Sequence, residues 1–140
     1  MKLLVANRGE IAIRIMRAAA ELGIATVSVA PKDDAGSLHT GKADEAVTLD
    51  GIGAAAYLDI NQIIKVTRDT GCDAIHPGYG FLAENAELAR HCEAAGITFI
   101  GPRVDNLVLF GDKARARIAA TAAGVPIIRG LDHAVTLDEA

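Results

Sequence analysis

Short apolar runs alternate with longer helical patterns along most of this chain, and glycines mark most of the stops. Lys2–Ala6, Ile24–Val29, Glu45–Leu49, Asp73–His76 and Ile97–Ile100 read as strands. Between them lie helical stretches, Glu10–Leu22, about Ile60 to Thr70, and Glu84–Ala95. Asp59 can cap the second and Gly71 stop it, and Gly96 ends the third. Two further helices are predicted at Val104–Phe110 and Lys113–Ala123, with Gly124 ending the latter. Strands that alternate with helices return to one sheet in parallel, so the order predicts an α/β fold, a Rossmann-like parallel sheet flanked by helices. A content of 51% hydrophobic and 4% aromatic residues over 140 positions suits a core packed with Ala, Ile and Val.

Within that outline, residues 76–85 read His-Pro-Gly-Tyr-Gly-Phe-Leu-Ala-Glu-Asn. Pro77 fixes its own φ, and Gly78 and Gly80 permit backbone conformations closed to other residues, so Tyr79 is held on a tight turn at a strand's C-terminal end. Open α/β sheets bind ligands at that end. Tyr79 and Phe81 either line such a site or cap the core. The first strand-to-helix turn, Ala6-Asn7-Arg8-Gly9-Glu10, has a single glycine and lacks the G-x-G-x-x-G of dinucleotide sites. Glu10 complements the helix dipole there, which favours capping over cofactor binding.

Along the helix from Glu10, the spacing of Ile11, Ile15, Ala18 and Leu22 predicts the face against the sheet, and Glu10, Arg14, Arg17 and Glu21 form a charged stripe on another face. From spacing alone that stripe is a solvated face carrying intrahelical pairs. In Gly111-Asp112-Lys113, Asp112 can cap the following helix. A lysine in a first turn works against the dipole and suits a phosphate-bearing ligand, met as a point charge. Arg115 and Arg117 read as surface charges.

A net charge of −4 without long runs argues against a nucleic-acid or anionic-membrane footprint. No apolar stretch approaches the roughly 20 residues of a membrane helix, and the opening residues lead into a strand rather than a cleavable signal, so a cytoplasmic location is expected. Cys72 and Cys92 have no C-x-x-C spacing, and Cys92 shares a helical face with Leu88 and Ala95 as a small core residue. The histidines at 39, 76, 91 and 133 are scattered, so no metal site is expected. A phosphate-binding G-x-x-x-x-G-K-[ST] loop and a carboxylate cluster for Mg²⁺ are both missing from the sequence.

The decapeptide at 76–85 resembles the signature of biotin carboxylases, the ATP-dependent component of acetyl-CoA, propionyl-CoA, pyruvate and related biotin-dependent carboxylases. Ala6-Asn7-Arg8-Gly9-Glu10-Ile11-Ala12, Ala43-Asp44-Glu45-Ala46, Phe99-Ile100-Gly101-Pro102, Gly111-Asp112-Lys113 and Ala123-Gly124-Val125-Pro126 extend the resemblance in order. It implies a pre-ATP-grasp N-terminal domain over residues 1–112, with 113–140 a helical segment leading into an ATP-grasp domain. It also implies a carbon–nitrogen ligase that activates bicarbonate with ATP to carboxyphosphate and carboxylates the ureido N1 of biotin borne on a carrier protein or domain. Lys113 is then an ATP contact, Tyr79, Gly80 and Phe81 line the biotin side of the cleft, and Arg14, Arg17 and Glu21 lie in a homodimer interface. Mg²⁺ or Mn²⁺ and most ATP contacts are expected outside this segment, which alone is expected to be inactive and to contain no catalytic acid, base or nucleophile.

Thr136-Leu137-Asp138-Glu139 is a capping-box signature, so a further helix is expected to begin where the sequence stops. Ala83, Asp59 and Asp50-Gly51-Ile52-Gly53 depart from the commonest family wording and leave the subfamily, and hence the acyl acceptor, open. Two other classes fit the outline less well: another ATP-grasp ligase of the carbamoyl-phosphate synthetase kind, and a non-catalytic dimerisation or ligand-binding module.

Overall fold

A strand that is apolar at successive positions belongs where both faces of a sheet are covered, and strand β1 (Lys2–Val5) lies at such a place. The computed structural model describes residues 1–128, and β1 is the centre of a five-stranded sheet in the order β3-β2-β1-β4-β5. The other strands are β2 (Ala25–Pro31), β3 (Glu45–Leu49), β4 (Ala74–His76) and β5 (Thr98–Phe99), and all pairings are parallel. Alternation along β1 divides the core. Leu3 and Val5 face helix α1 (Gly9–Glu21), where Ala12, Ile15, Met16 and Ala19 close over them. Leu4 and Ala6 point the other way, into a larger cluster with Val27, Ile75, Ile63, Leu88 and Cys92.

The second face is covered by α2 (Gly53–Tyr57), α3 (Ile60–Asp69) and α4 (Ala86–Ala95), and two further helices follow, α5 (Val104–Gly111) and α6 (Lys113–Ala122). Asp59 caps α3 through Gln62 N–H at 3.0 Å, as its sequence position predicts. Cys92 is fully buried on the inner face of α4 beside Leu88. The α4 helix starts two residues later than the periodicity predicts because Asn85 takes the cap, its Oδ1 accepting from Leu88 N–H at 3.0 Å. The predicted inner face of α1 needs correction. Leu22 is 75% exposed and Ala18 is exposed, while Ala12, Met16 and Ala19 are buried. Ile15 belongs to both stripes, and the buried face runs through Ala12, Met16 and Ala19, with Ile11 packed at its edge.

Sequence periodicity misses α2 and two single 3₁₀ turns, Lys32–Asp34 and Thr40–Lys42, all too short to show a period. The β2–β3 connection is pinned instead by polar contacts: Asp44 Oδ2 accepts from Thr26 N–H at 2.7 Å and from Thr26 Oγ1 at 3.0 Å. Those bonds, the backbone one foremost, hold the Asp44 carboxyl below the usual aspartate range. The predicted capping box at Thr136–Glu139 lies outside the described residues. Among the described residues, no helix is long and apolar enough to cross a membrane.

Candidate functional site

The chain runs outward from β1 through β2 to β3, then returns to place β4 on the other side of β1. This reversal leaves a crevice where the loops after β1 and β4 leave the same edge of a parallel sheet and diverge. The two turns singled out in the sequence meet there. Asn7, 2% exposed, donates from Nδ2 to the carbonyls of Pro77 at 2.7 Å and Tyr79 at 2.8 Å, and its Oδ1 accepts from Arg8 N–H at 2.9 Å. Gly78 lies between those carbonyls at φ +66°, and a Cβ on it would stand 2.6 Å from Asn7 Nδ2. Only glycine satisfies both conditions. His76 accepts from Gly78 N–H through Nδ1 at 3.0 Å, so the neutral ring carries its proton on Nε2, and burial lowers its pKa from the ordinary histidine value.

Phe81, at φ +39°, is the one non-glycine residue with positive φ among those described. Neighbouring packing holds this uncommon conformation. Its ring stacks on Tyr57 with centroids 5.0 Å apart and planes 23° from parallel. The Arg8 guanidinium lies 5.8 Å from the Phe81 centroid and 5.9 Å from that of Tyr57. Tyr57 donates to Asp34 Oδ2 at 2.7 Å, and burial, reinforced by that bond, pushes its hydroxyl pKa far above the usual tyrosine value. Asp34 is held below the ordinary carboxylate range, mainly by the hydroxyl of Ser37 and then by Tyr57, with Arg8 at 3.8 Å adding to the effect. Neither Tyr57 nor Asp34 was flagged in the sequence. Tyr57 ends a five-residue helix, and the only signal was its place between Gly53 and the Asp59 cap.

Tyr79, 61% exposed, forms one wall of a cleft of about 410 Å³ floored by the Asn7–Ile11 turn and closed by Gly80 and Phe81. Its hydroxyl donates to Glu10 Oε2 at 3.3 Å, and Glu10 Oε1 pairs with Arg14 at the same distance. The cleft therefore presents an aromatic wall, a cation, a carboxylate and backbone amides, a set that can hold a flat polar group. No described cluster of three or more His, Cys, Asp or Glu side chains could hold a metal ion.

The structure brings Tyr79, Gly80 and Phe81 together in this cleft and leaves Lys113 elsewhere, exposed at the first position of α6. Asp112 caps that helix, accepting from Ala114 N–H at 2.9 Å and Arg115 N–H at 3.1 Å. Arg117 is not the plain surface charge expected: it is half-buried and donates to the carbonyl of Ile128 at 2.8 Å. Arg14, Arg17 and Glu21 are all exposed on the outer side of α1. Of the predicted intrahelical pairs only Arg14–Glu10 forms. Arg17 and Glu21 have no ion-pair partner among the described residues.

Residues 1–107 match the family model described as the biotin carboxylase N-terminal domain. The pyruvate carboxylase of Bacillus subtilis is 58% identical over 134 residues, which cover 94% of this chain and 12% of that protein. The biotin carboxylase domain of a single-chain bacterial carboxylase superposes with a TM-score of 0.94 at 55% identity, covering 99% of this chain and 32% of the other. The biotin carboxylase domain dimer of Hydrogenobacter thermophilus 2-oxoglutarate carboxylase, in complex with magnesium ADP, ADP and bicarbonate, gives 0.91 at 48% identity, covering 94% and 29%. The chain thus spans only a minor part of each of these relatives.

Proposed function

The chain belongs to the biotin carboxylase N-terminal domain family, and from that premise we propose that it forms one wall of the active-site cleft of an ATP- and bicarbonate-dependent biotin carboxylase. The observation that carries this reading is the convergence of the Asn7–Glu10 and His76–Phe81 turns at the switch point of the sheet. In this reading the Tyr79 ring and the Gly80 backbone face the biotin side, and Phe81 braces them from behind against Tyr57 and Arg8.

ATP and bicarbonate supply the carboxyphosphate, and the acceptor is biotin on a carrier protein or domain. Transfer of this kind depends on positioning and on stabilising charge in a water-poor site, and a rigid wall contributes to both. The exposed ammonium of Lys113 meets the nucleotide phosphates as a point charge. In this reading, as the family resemblance implies, Mg²⁺ or Mn²⁺ and most ATP contacts belong to parts of the protein outside this segment. We take residues 1–112 as the folded unit and 113–140 as the connection onward. Arg17 and Glu21, left without partners on α1, together with Arg14, are read as contacts of a homodimer, and the location as cytoplasmic.

The test is ADP release by the full-length gene product, measured with and without bicarbonate and free biotin. Release that depends on both, with Lys113→Ala raising the apparent KM for ATP, supports the reading. Release that ignores biotin removes it.

A further inference from the structure

We infer that Asn7 is the positioning residue that sets where Tyr79 and Gly80 stand in the cleft, an inference that rests on the biotin-carboxylase reading for its functional consequence. The amide of Asn7 is fully used. Its two N–H bonds go to the carbonyls on either side of Gly78, and its oxygen takes the amide that opens the next helix. Each of these atoms belongs to a turn at the crevice and none to the sheet ladder. Removing Asn7 therefore leaves intact the pairing of β1 with β4, including Ala6 N–H to the His76 carbonyl at 3.0 Å.

Other restraints on Tyr79 are weaker or act elsewhere. The bond from its hydroxyl to Glu10 spans 3.3 Å between exposed groups, and the His76 contact fixes the N–H of Gly78 rather than either carbonyl. Without Asn7, the Pro77 and Tyr79 carbonyls lose their protein donor and the turn is free to rotate. No other side chain of similar size replaces it: aspartate fits the space but has no donor to offer and would set a carboxylate against two carbonyl oxygens. The close approach of Gly78 leaves no room for the longer glutamine.

The test uses the full-length protein with Asn7→Ala and the nearly isosteric Asn7→Asp, and Val27→Ala as a control that weakens the buried core away from the cleft. Both Asn7 variants are expected to raise the apparent KM for free biotin about tenfold or more while the KM for ATP stays unchanged, because a displaced wall misplaces one substrate. The control lowers thermal stability and leaves both KM values alone. Hydrogen–deuterium exchange supplies a readout without activity: the amides of residues 78–81 exchange faster in both variants, while the β1 and β4 amides remain protected. Unchanged exchange at 78–81 in Asn7→Asp, or a biotin KM equal to that of the parent, overturns the inference. Loss of biotin dependence in the parent protein overturns the proposed function instead, and the exchange result then decides whether Asn7 sets the turn.

Discussion

The crevice between β1 and β4 and the helix pair α5–α6 are built on opposite principles. In the crevice, buried polar atoms meet partners and two rings stack under a guanidinium, so the backbone holds positive φ at Gly78, Gly80 and Phe81. In the helix pair only Leu107 is buried, α6 buries none of its residues, and Phe110 and Ile118 are 61% and 56% exposed. Phe110 borders a small apolar hollow of about 210 Å³ beside Leu107 and Pro102. The contrast separates two ways a segment holds its shape: the crevice through contacts between residues about seventy apart, the helices mostly through their own hydrogen bonds and caps.

The largest effect that would sharpen this contrast is Gly78→Ala. A side chain at φ +66° that also meets Asn7 is expected to cost about 2–4 kcal/mol, read as a lower midpoint in urea unfolding. A cost under about 0.5 kcal/mol would mean that the crevice yields easily, and the comparison would break. Next come two matched cap removals. Asn85→Ala, at the start of a helix packed on the core, should lower global stability by about 1 kcal/mol. Asp112→Ala removes two cap bonds yet should change the global midpoint less, speeding amide exchange in α6 instead. Equal global losses would show that α6 unfolds together with the sheet.

Phe110→Gln is expected to stay within about 0.5 kcal/mol and to improve solubility, since it removes an exposed ring. The smallest effect is one of pH. Burial depresses the native pKa of His76 below the ordinary histidine value, so its contribution to stability is full above that value and is lost as the pH falls through the lowered native one. A thermal-midpoint series from pH 8 to 5 should show this acid limb in the parent, and His76→Asn should flatten it.

The strand–helix order, the Asp59 cap and the glycine stops were legible because each is local. Gly71, Gly96 and Gly124 do take up positive φ where the sequence ends its helices. The aromatic turn was legible for the same reason: two glycines and a proline around Tyr79 leave the backbone few choices. What could not be read was its support. Asn7, Arg8, Asp34 and Tyr57 come from three separate segments, and no periodicity links them. The face of α1 was misjudged because its many apolar residues allow two stripes: one through Ile11, Ile15, Ala18 and Leu22 fits helical spacing as readily as the buried one through Ala12, Ile15, Met16 and Ala19. Family resemblance named Tyr79, Gly80 and Phe81 as one side of a cleft and Lys113 as a separate ATP contact, but it did not say which side chains hold that turn in place.

The position of β1 bears on the order in which this molecule folds. The first strand of the chain is the central one, and it finds β2 about twenty residues away but β4 only about seventy residues on. A β1-β2-β3 half-sheet closes over short loops, whereas the β1–β4 pairing must first close a much longer one, at an entropic cost that grows with the logarithm of its length. On a ribosome the half-sheet can therefore form while β4 is still unmade, and the unpaired edge of β1 must wait for it. Assembly of the cleft is then the late step of folding, and slow-folding variants should accumulate as chains with an ordered amino-terminal half and no binding surface.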